Sequence, residues 1–188
     1  MAELQRALSA HQPADPREER SRLAVLEALA TMPRPFDRHA DLTHVTASAI
    51  VVGPRGVLLH LHRRLHRWLQ PGGHLESGER ASAGALREGE EETGLVLYHP
   101  GDNPTLVHVD VHGAADDHVH LDVRYLLHGP DADPAPPPEE SQEVRWFPWS
   151  EAEAVADDAL VGALRTARRL SGTGTRRAPG RTSEETDG

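Results

Sequence analysis

Residues 73–95 read GHLESGERASAGALREGEEETGL, directly after Pro71 and Gly72. Glu88, Glu90, Glu91 and Glu92 crowd into little more than one helical turn. Carboxylates this close repel one another, and a folded chain tolerates them best with a divalent cation between them. On a helix, Glu88, Glu91 and Glu92 stand at i, i+3 and i+4 and share a face. An all-oxygen ligand set suits a hard cation, so the stretch predicts a magnesium or manganese site. Gly72 and Gly73 lack a Cβ, which lets the backbone of this turn approach a ligand closely.

Outward from that turn, residues 80–93 are predicted as a helix. Gly84 and Gly89 inside it each cost about 1 kcal/mol relative to Ala, so tertiary packing must hold it. Leu95 to Tyr98 is expected to resume as a strand. Upstream, His44 to Val52 reads as a strand, Gly53-Pro54-Arg55-Gly56 as a turn, and Val57 to His62 as the second arm of a hairpin. Downstream, Thr105 to His112 and His118 to His128 alternate with period two. Their apolar set, Val107, Val109, Val111 and Val119 to Leu127 in steps of two, is expected to face the core. After a proline-rich loop from Pro130 to Pro138, Val144 to Phe147 is a further strand. Ser150 is expected to cap a helix reaching Leu170, with a break near Asp157.

At the N-terminus, Pro16 to about Thr31 has helical spacing, with Asp15 as cap and Pro33-Arg34-Pro35 as stop. The chain therefore divides into an N-terminal helical extension (1–41), one domain (42–170) and a disordered tail (171–188). With 188 residues, one sizeable core is expected. The absence of cysteine excludes disulfides, thiolate metal sites and a thiol nucleophile. A net charge of −10 argues against a nucleic-acid partner. No apolar run is long enough for a membrane span, and Met1 to Ser21 has no signal-peptide character, so a cytoplasmic location is expected. Every basic residue is Arg, which reads as nucleotide bias more than function.

The stretch resembles the Nudix box, G-x5-E-x7-R-E-U-x-E-E-x-G-U, with U aliphatic. Gly73, Glu79, Arg87, Glu88, Glu91, Glu92 and Gly94 occupy all seven fixed positions, and Leu95 the last aliphatic one. Gly89 departs from the pattern where an aliphatic residue would pack the helix on the sheet. The resemblance implies an α/β fold, a Nudix-type α/β/α sandwich with a mixed central sheet. It implies a hydrolase cleaving the diphosphate linkage of a nucleoside diphosphate joined to another group, with Mg2+ or Mn2+ as cofactor and a small nucleotide conjugate as substrate. It further implies that the Gly72 carbonyl joins Glu88, Glu91 and Glu92 on the metal. Glu88, then Glu91, are the candidates for general base. By the same analogy Arg87 orients a box carboxylate, either Glu91 or Glu79. A fourth carboxylate comes from outside the box in this family; among Glu139, Glu140 and Glu143, Glu140 is the choice.

Beyond the box, a hairpin turn centred on Ala115 would set His112 opposite His118, Asp110 opposite His120 and His108 opposite Asp122. This polar face is covered by helix or water, or else part of it, His120 above all, lines the substrate cleft with its imidazole partly protonated near pH 6.5. Arg63, Arg64, His66 and Arg67 precede the glycine turn and either hold substrate phosphates or form an exposed tip. Gly73, His74, Arg64, Arg67 and His120 are the expected substrate contacts. Trp68 stacks on a base or anchors packing.

Three readings compete with hydrolysis. A catalytically silent nucleotide or sugar-phosphate binding module would be expected to lose box carboxylates, and this chain keeps them. A prenyl diphosphate isomerase lacks its cysteine here. A zinc protein built on His60-x-His62 or His118-x-His120 has two ligands on one strand face but no third fixed by spacing. The oligomeric state stays open, a homodimer included.

Overall fold

The long strand β1 (Thr43–Gly53) is the axis of the computed structural model, which describes residues 1–172. Its side chains alternate between two covered faces. Val45, Ala47, Ala49 and Val51 point to one side, Ile50 and Val52 to the other, and all six are buried. A strand covered on both faces carries few polar side chains, and within residues 45–52 only Thr46 and Ser48 are polar, both buried. Along one edge β1 runs parallel to β6 (Val119–His128), from Thr43 beside Val119 to Val52 beside His128. Its other edge is shared. The end of β1 pairs antiparallel with β2 (Gly56–His62), and residues 46–48 pair with the short β4 (Gly72–His74). Strand β3 (Arg67–Leu69) and β7 (Val144–Phe147) extend β2, while β5 (Leu106–Gly113) lies outside β6.

Helix α3 (Ala81–Thr93) covers the face bearing Val45 and Ala47, together with α1 (Ala2–Ala10) and α2 (Pro16–Thr31). The opposite face packs on α4 (Trp149–Val155) and α5 (Asp158–Gly172) through Leu160, Ala163, Leu164 and Ala167. The result is the α/β/α sandwich with a mixed sheet that the sequence implies. Asp15 caps α2, accepting from the Arg17 and Glu18 amides, and Pro16 opens the helix.

Helix α2 also closes the sheet. On β5, at the sheet's outer edge, the Val109 N–H donates to Glu18 at 3.1 Å and the Val111 N–H to the Ser21 hydroxyl at 3.2 Å. Two exposed edge donors are thereby satisfied, which blocks pairing with another chain. Glu18 itself is 1% exposed, and the Ala14 N–H and the His11 ring (2.6 Å) complete its bonding. Helix α1 buries only Leu4 and Leu8, so its apolar stripe is too short to mark it in the sequence.

Several expectations need correction. The β5–β6 register is two residues further along: His112 faces His120, Asp110 faces Asp122 and His108 faces Arg124. The connection carries a tight turn at Ala115–Asp117 with Asp116 and Asp117 at positive φ, so pairing begins at Gly113 and Val119. A shift of two keeps every side chain on its face. An irregularity between Leu106 and His108 breaks the period, so Val107 joins the α5 side while Val109 stays opposite. The core therefore occupies both faces of the sheet. Leu95 to Tyr98 forms no strand beyond a single bridge from Tyr98 to His128. Side chains take its donors: the Leu97 N–H bonds Glu90 and the Leu95 N–H bonds Thr93. The late helix does break before Asp158, but Ser150 lies inside α4, whose cap position is Pro148. Asp157 caps α5 through the Leu160 N–H. Of the tail expected from Ser171, residues 173–188 lie outside the described residues. No helix among the described residues is long and apolar enough to cross a membrane.

Candidate functional site

Gly89 explains how α3 lies where it does. A Cβ there would stand 2.9 Å from Leu97 Cδ1 and 3.2 Å from Ala49 Cβ. Leu97, arriving from the segment after the helix, fills the space an aliphatic residue in α3 would take. The departure from the family pattern is a substitution in space, not a hole. Gly94 ends the helix in the left-handed region at φ 67°, as a C-cap glycine does.

Pairing of β4 with β1 lays Gly72 and Gly73 directly over the acidic side of α3. The Gly72 N–H donates to Glu92 Oε2 at 2.9 Å, and a Cβ on Gly73 would fall 2.6 Å from a Glu88 carboxylate oxygen. Only glycine admits that approach. Arg87 holds the acids together. It forks onto Glu79 with two bonds of 3.0 Å, reaches Glu88 at 3.0 Å and Glu91 at 2.9 Å, and donates to the His74 carbonyl at 2.9 Å. Both alternatives for its partner, Glu79 and Glu91, are thus realised.

The charge balance of this cluster is incomplete. Burial pushes Glu92 up to about 8 against the pull of the Gly72 N–H bond, and the Glu88, Glu140 and Glu91 charges push the same way as burial. Burial also raises Glu88, against the Arg87 bond. Glu140 is half-buried and acts on both, whereas Glu139 and Glu143 are exposed. Its loop is tied down by Arg63, whose guanidinium donates to the carbonyls of Pro138, Glu139 and Glu140. That bonding occupies Arg63, which had been expected at substrate phosphates or an open tip. His60, on β2, stands 3.7 Å from Glu92 with its imidazole held by burial at about 4.

A cavity of about 910 Å3 opens beside Gly73, Arg87 and Glu88. Its far wall is the segment 33–39 after α2, including Arg34, Phe36 and Arg38. The one mark of this wall in the sequence is the cluster of Arg34, Arg38 and His39 beyond the proline break. A second hollow, about 350 Å3, is lined by Arg38, Arg64, His74, His118 and His120. His74 belongs to both, so it and Arg64 border the cleft region. Arg67 is exposed at the start of β3 opposite His62, and lines neither hollow. Trp68 packs edge-on against Phe147 at 4.8 Å beneath Arg145, an anchor and not an open stacking face.

The polar face of β5 and β6 is a buried charge network. Arg124 bonds Asp122 at 2.9 Å and Asp110 at 3.4 Å; Thr46 and Ser48 donate to Asp122, and Arg17 to Asp110. Burial raises the Asp110 carboxyl, yet His112, Arg124 and Arg17 outweigh it and hold it at about 2. His120 is not partly protonated near neutral pH as expected. Burial first, then neighbouring imidazoles, lower it to about 4. Burial first, then His44, Arg38, His118 and His39, lower His74 to about 4.

The tightest metal-type grouping among the described residues is His44, His74 and His120, with one ligand atom from each mutually within 4.8 Å. Glu88, Glu91 and Glu92 are not gathered so closely, and Glu91 is 52% exposed.

Solved structures share this fold. A NUDIX-family hydrolase from Clostridium perfringens superposes with a TM-score of 0.58 at 27% identity, covering 68% of this chain and 97% of that one. A MutT NUDIX hydrolase from Burkholderia pseudomallei gives 0.54 at 26%, covering 65% and 95%. An Ap4A hydrolase from C. elegans gives 0.55 at 23%, covering 68% and 98%, and at that identity bears on the fold alone. Comparison with curated proteins gave no match. Fold and matches together define a hydrolase of the class acting on pyrophosphate bonds. The chain belongs to the NUDIX domain family, whose model matches residues 42–167.

Proposed function

We propose that this protein hydrolyses the diphosphate linkage of a nucleoside diphosphate joined to another group, with Mg2+ or Mn2+ held by the Gly72 carbonyl, Glu88, Glu91, Glu92 and Glu140. The observation carrying this reading is the buried, under-neutralised pair Glu88 and Glu92 beneath a turn that only glycine can form. A donor set of carboxylates and one carbonyl fits a hard divalent cation, and such a cation supplies the missing positive charge. When bound, it would neutralise charge developing on the phosphoryl oxygens and acidify the attacking water.

The chain's own residues supply the remainder. Gly72 and Gly73 leave room for phosphate oxygens against backbone. Arg87 positions Glu79, Glu88 and Glu91 at once, so it orients carboxylates without having to touch substrate. Glu88, raised by burial, is the better proton acceptor near neutrality; exposed Glu91 is the second candidate. Gly73, His74 and Arg64 border the substrate, with Arg34 and Arg38 offering further cationic contacts to it. Arg67 and His120 remain candidates of second rank, Arg67 because it lines neither hollow.

The test is phosphate release from nucleoside triphosphates, sugar nucleotides, ADP-ribose and dinucleoside polyphosphates with Mg2+ or Mn2+. Release that stops with EDTA and falls at least about 100-fold in Glu88→Gln supports the reading. Failure to cleave any member, or cleavage indifferent to EDTA, overturns it.

A further inference from the structure

Away from the glutamate helix, three imidazoles converge from three different strands. His44 belongs to β1, His74 to β4 and His120 to β6, with ring centroids 5.1 Å, 5.1 Å and 5.2 Å apart. The parallel register sets His44 beside His120, and the β1–β4 pairing sets His74 beside Thr46, the next residue on the same face. His44 is fully buried. Its Nδ1 lies 3.3 Å from the Asp41 carbonyl, and its Nε2 has no hydrogen-bond partner. Donation from Nδ1 leaves the lone pair on Nε2, the arrangement second-shell carbonyls impose on metal-ligating histidines. Two more imidazoles flank the trio, His118 at 5.2 Å from His44 and His112 at 5.5 Å from His120. His112 in turn is held by Asp110 at 3.0 Å.

We propose that His44, His74 and His120 bind one divalent late transition-metal ion of the zinc type, at a site separate from the carboxylate centre. Imidazole nitrogens suit such ions, while Mg2+ keeps to oxygen. Three histidines with a fourth position open to water is a coordination that zinc accepts. Bonds of about 2.0–2.1 Å place the nitrogens roughly 3.4 Å apart. His74 and His120 are half-buried and can close that gap by rotation about their side-chain bonds. The 350 Å3 hollow lined by His74, His118 and His120 gives the ion a way in. Arg38, whose Nη1 is 3.3 Å from His74 Nδ1, is exposed and can turn into solvent as the cation enters. A bound ion would tie β4, and with it the Gly72–Gly73 turn, to β1 and β6.

The test uses the full chain without a polyhistidine tag, stripped of metal and then saturated with Mg2+. Zinc titrated against a chromophoric chelator should occupy one equivalent despite the Mg2+, and Co2+ should give visible absorption of tetrahedral intensity. His74→Gln and His120→Gln should each weaken zinc at least tenfold, whereas Glu92→Gln should retain it. In the wild-type protein, zinc should also protect His74 and His120 from acylation by diethylpyrocarbonate, a readout that does not depend on the variants folding. No equivalent held above Mg2+, no protection, or loss of zinc in Glu92→Gln but not in folded histidine variants would overturn the proposal.

Discussion

Raising the pH of the cation-free protein from 7.5 to 9 should destabilise it, and Glu92 should account for most of the loss. Burial pushes this carboxyl from 4.5 up to about 8, so across that window the folded state holds a proton that the unfolded state has released. Stability present at low pH is therefore lost as pH rises through about 8. For Glu92 alone the change is about 0.8 kcal/mol between pH 7.5 and 9. In a chain of this size that is about 2–3 °C in Tm. The window matters because His60, His74, His108 and His120 are all held at about 4 by burial and adjacent charge. Their neutral forms favour folding increasingly as pH rises through 6.5, the opposite sign, and contribute little slope above about pH 7.5. His112, raised by its bond to Asp110, and Glu88, raised by burial, act in the same direction as Glu92. Thermal melts in EDTA measure the slope. Glu92→Gln is neutral at every pH and can still accept the Gly72 N–H, so it should remove most of the slope. Saturating Mg2+ should flatten or reverse it, because the cation favours the ionised acid. A wild-type Tm that holds or climbs from pH 7.5 to 9, or an undiminished slope in Glu92→Gln, would refute the reasoning.

Other substitutions probe the same architecture. Restoring the family's aliphatic residue with Gly89→Leu should cost about 1–3 kcal/mol by overpacking against Leu97 and Ala49, with partial recovery in the double variant carrying Leu97→Ala; urea melts of the four proteins decide it. Gly73→Ala should lower kcat/KM at least about 100-fold by displacing Glu88, with far-UV circular dichroism unchanged. Glu18→Ala leaves the Val109 and Ala14 amides unsatisfied, and should cost about 2–4 kcal/mol in denaturant melts. Exchange of the Val109 amide with deuterium should quicken correspondingly.

How far the site could be read before folding depends on where its partners come from. The strand at His44 to Val52, the cap at Asp15 and the shared face of Glu88, Glu91 and Glu92 are short-range properties of a repeating backbone. Spacing of two to four residues sets them, so they were legible. Arg87 was legible for the same reason, since Glu91 is one turn away. Its bonds to Glu79 also cross only a short loop. Leu97 taking the place of a side chain at Gly89 was not legible, because it requires knowing that the chain doubles back over the helix.

The linear order of residues determined that this chain would build an acidic helix after a di-glycine bend, since local periodicity and backbone chemistry suffice for that; the α/β sandwich around it followed from the resemblance to the Nudix box. Only the tertiary structure decided which of those acids lose water, which arginines are consumed by carbonyls, and that His44, His74 and His120 meet. Desolvation and cross-strand register depend on segments tens of residues apart coming into contact, and no spacing within a single stretch encodes them.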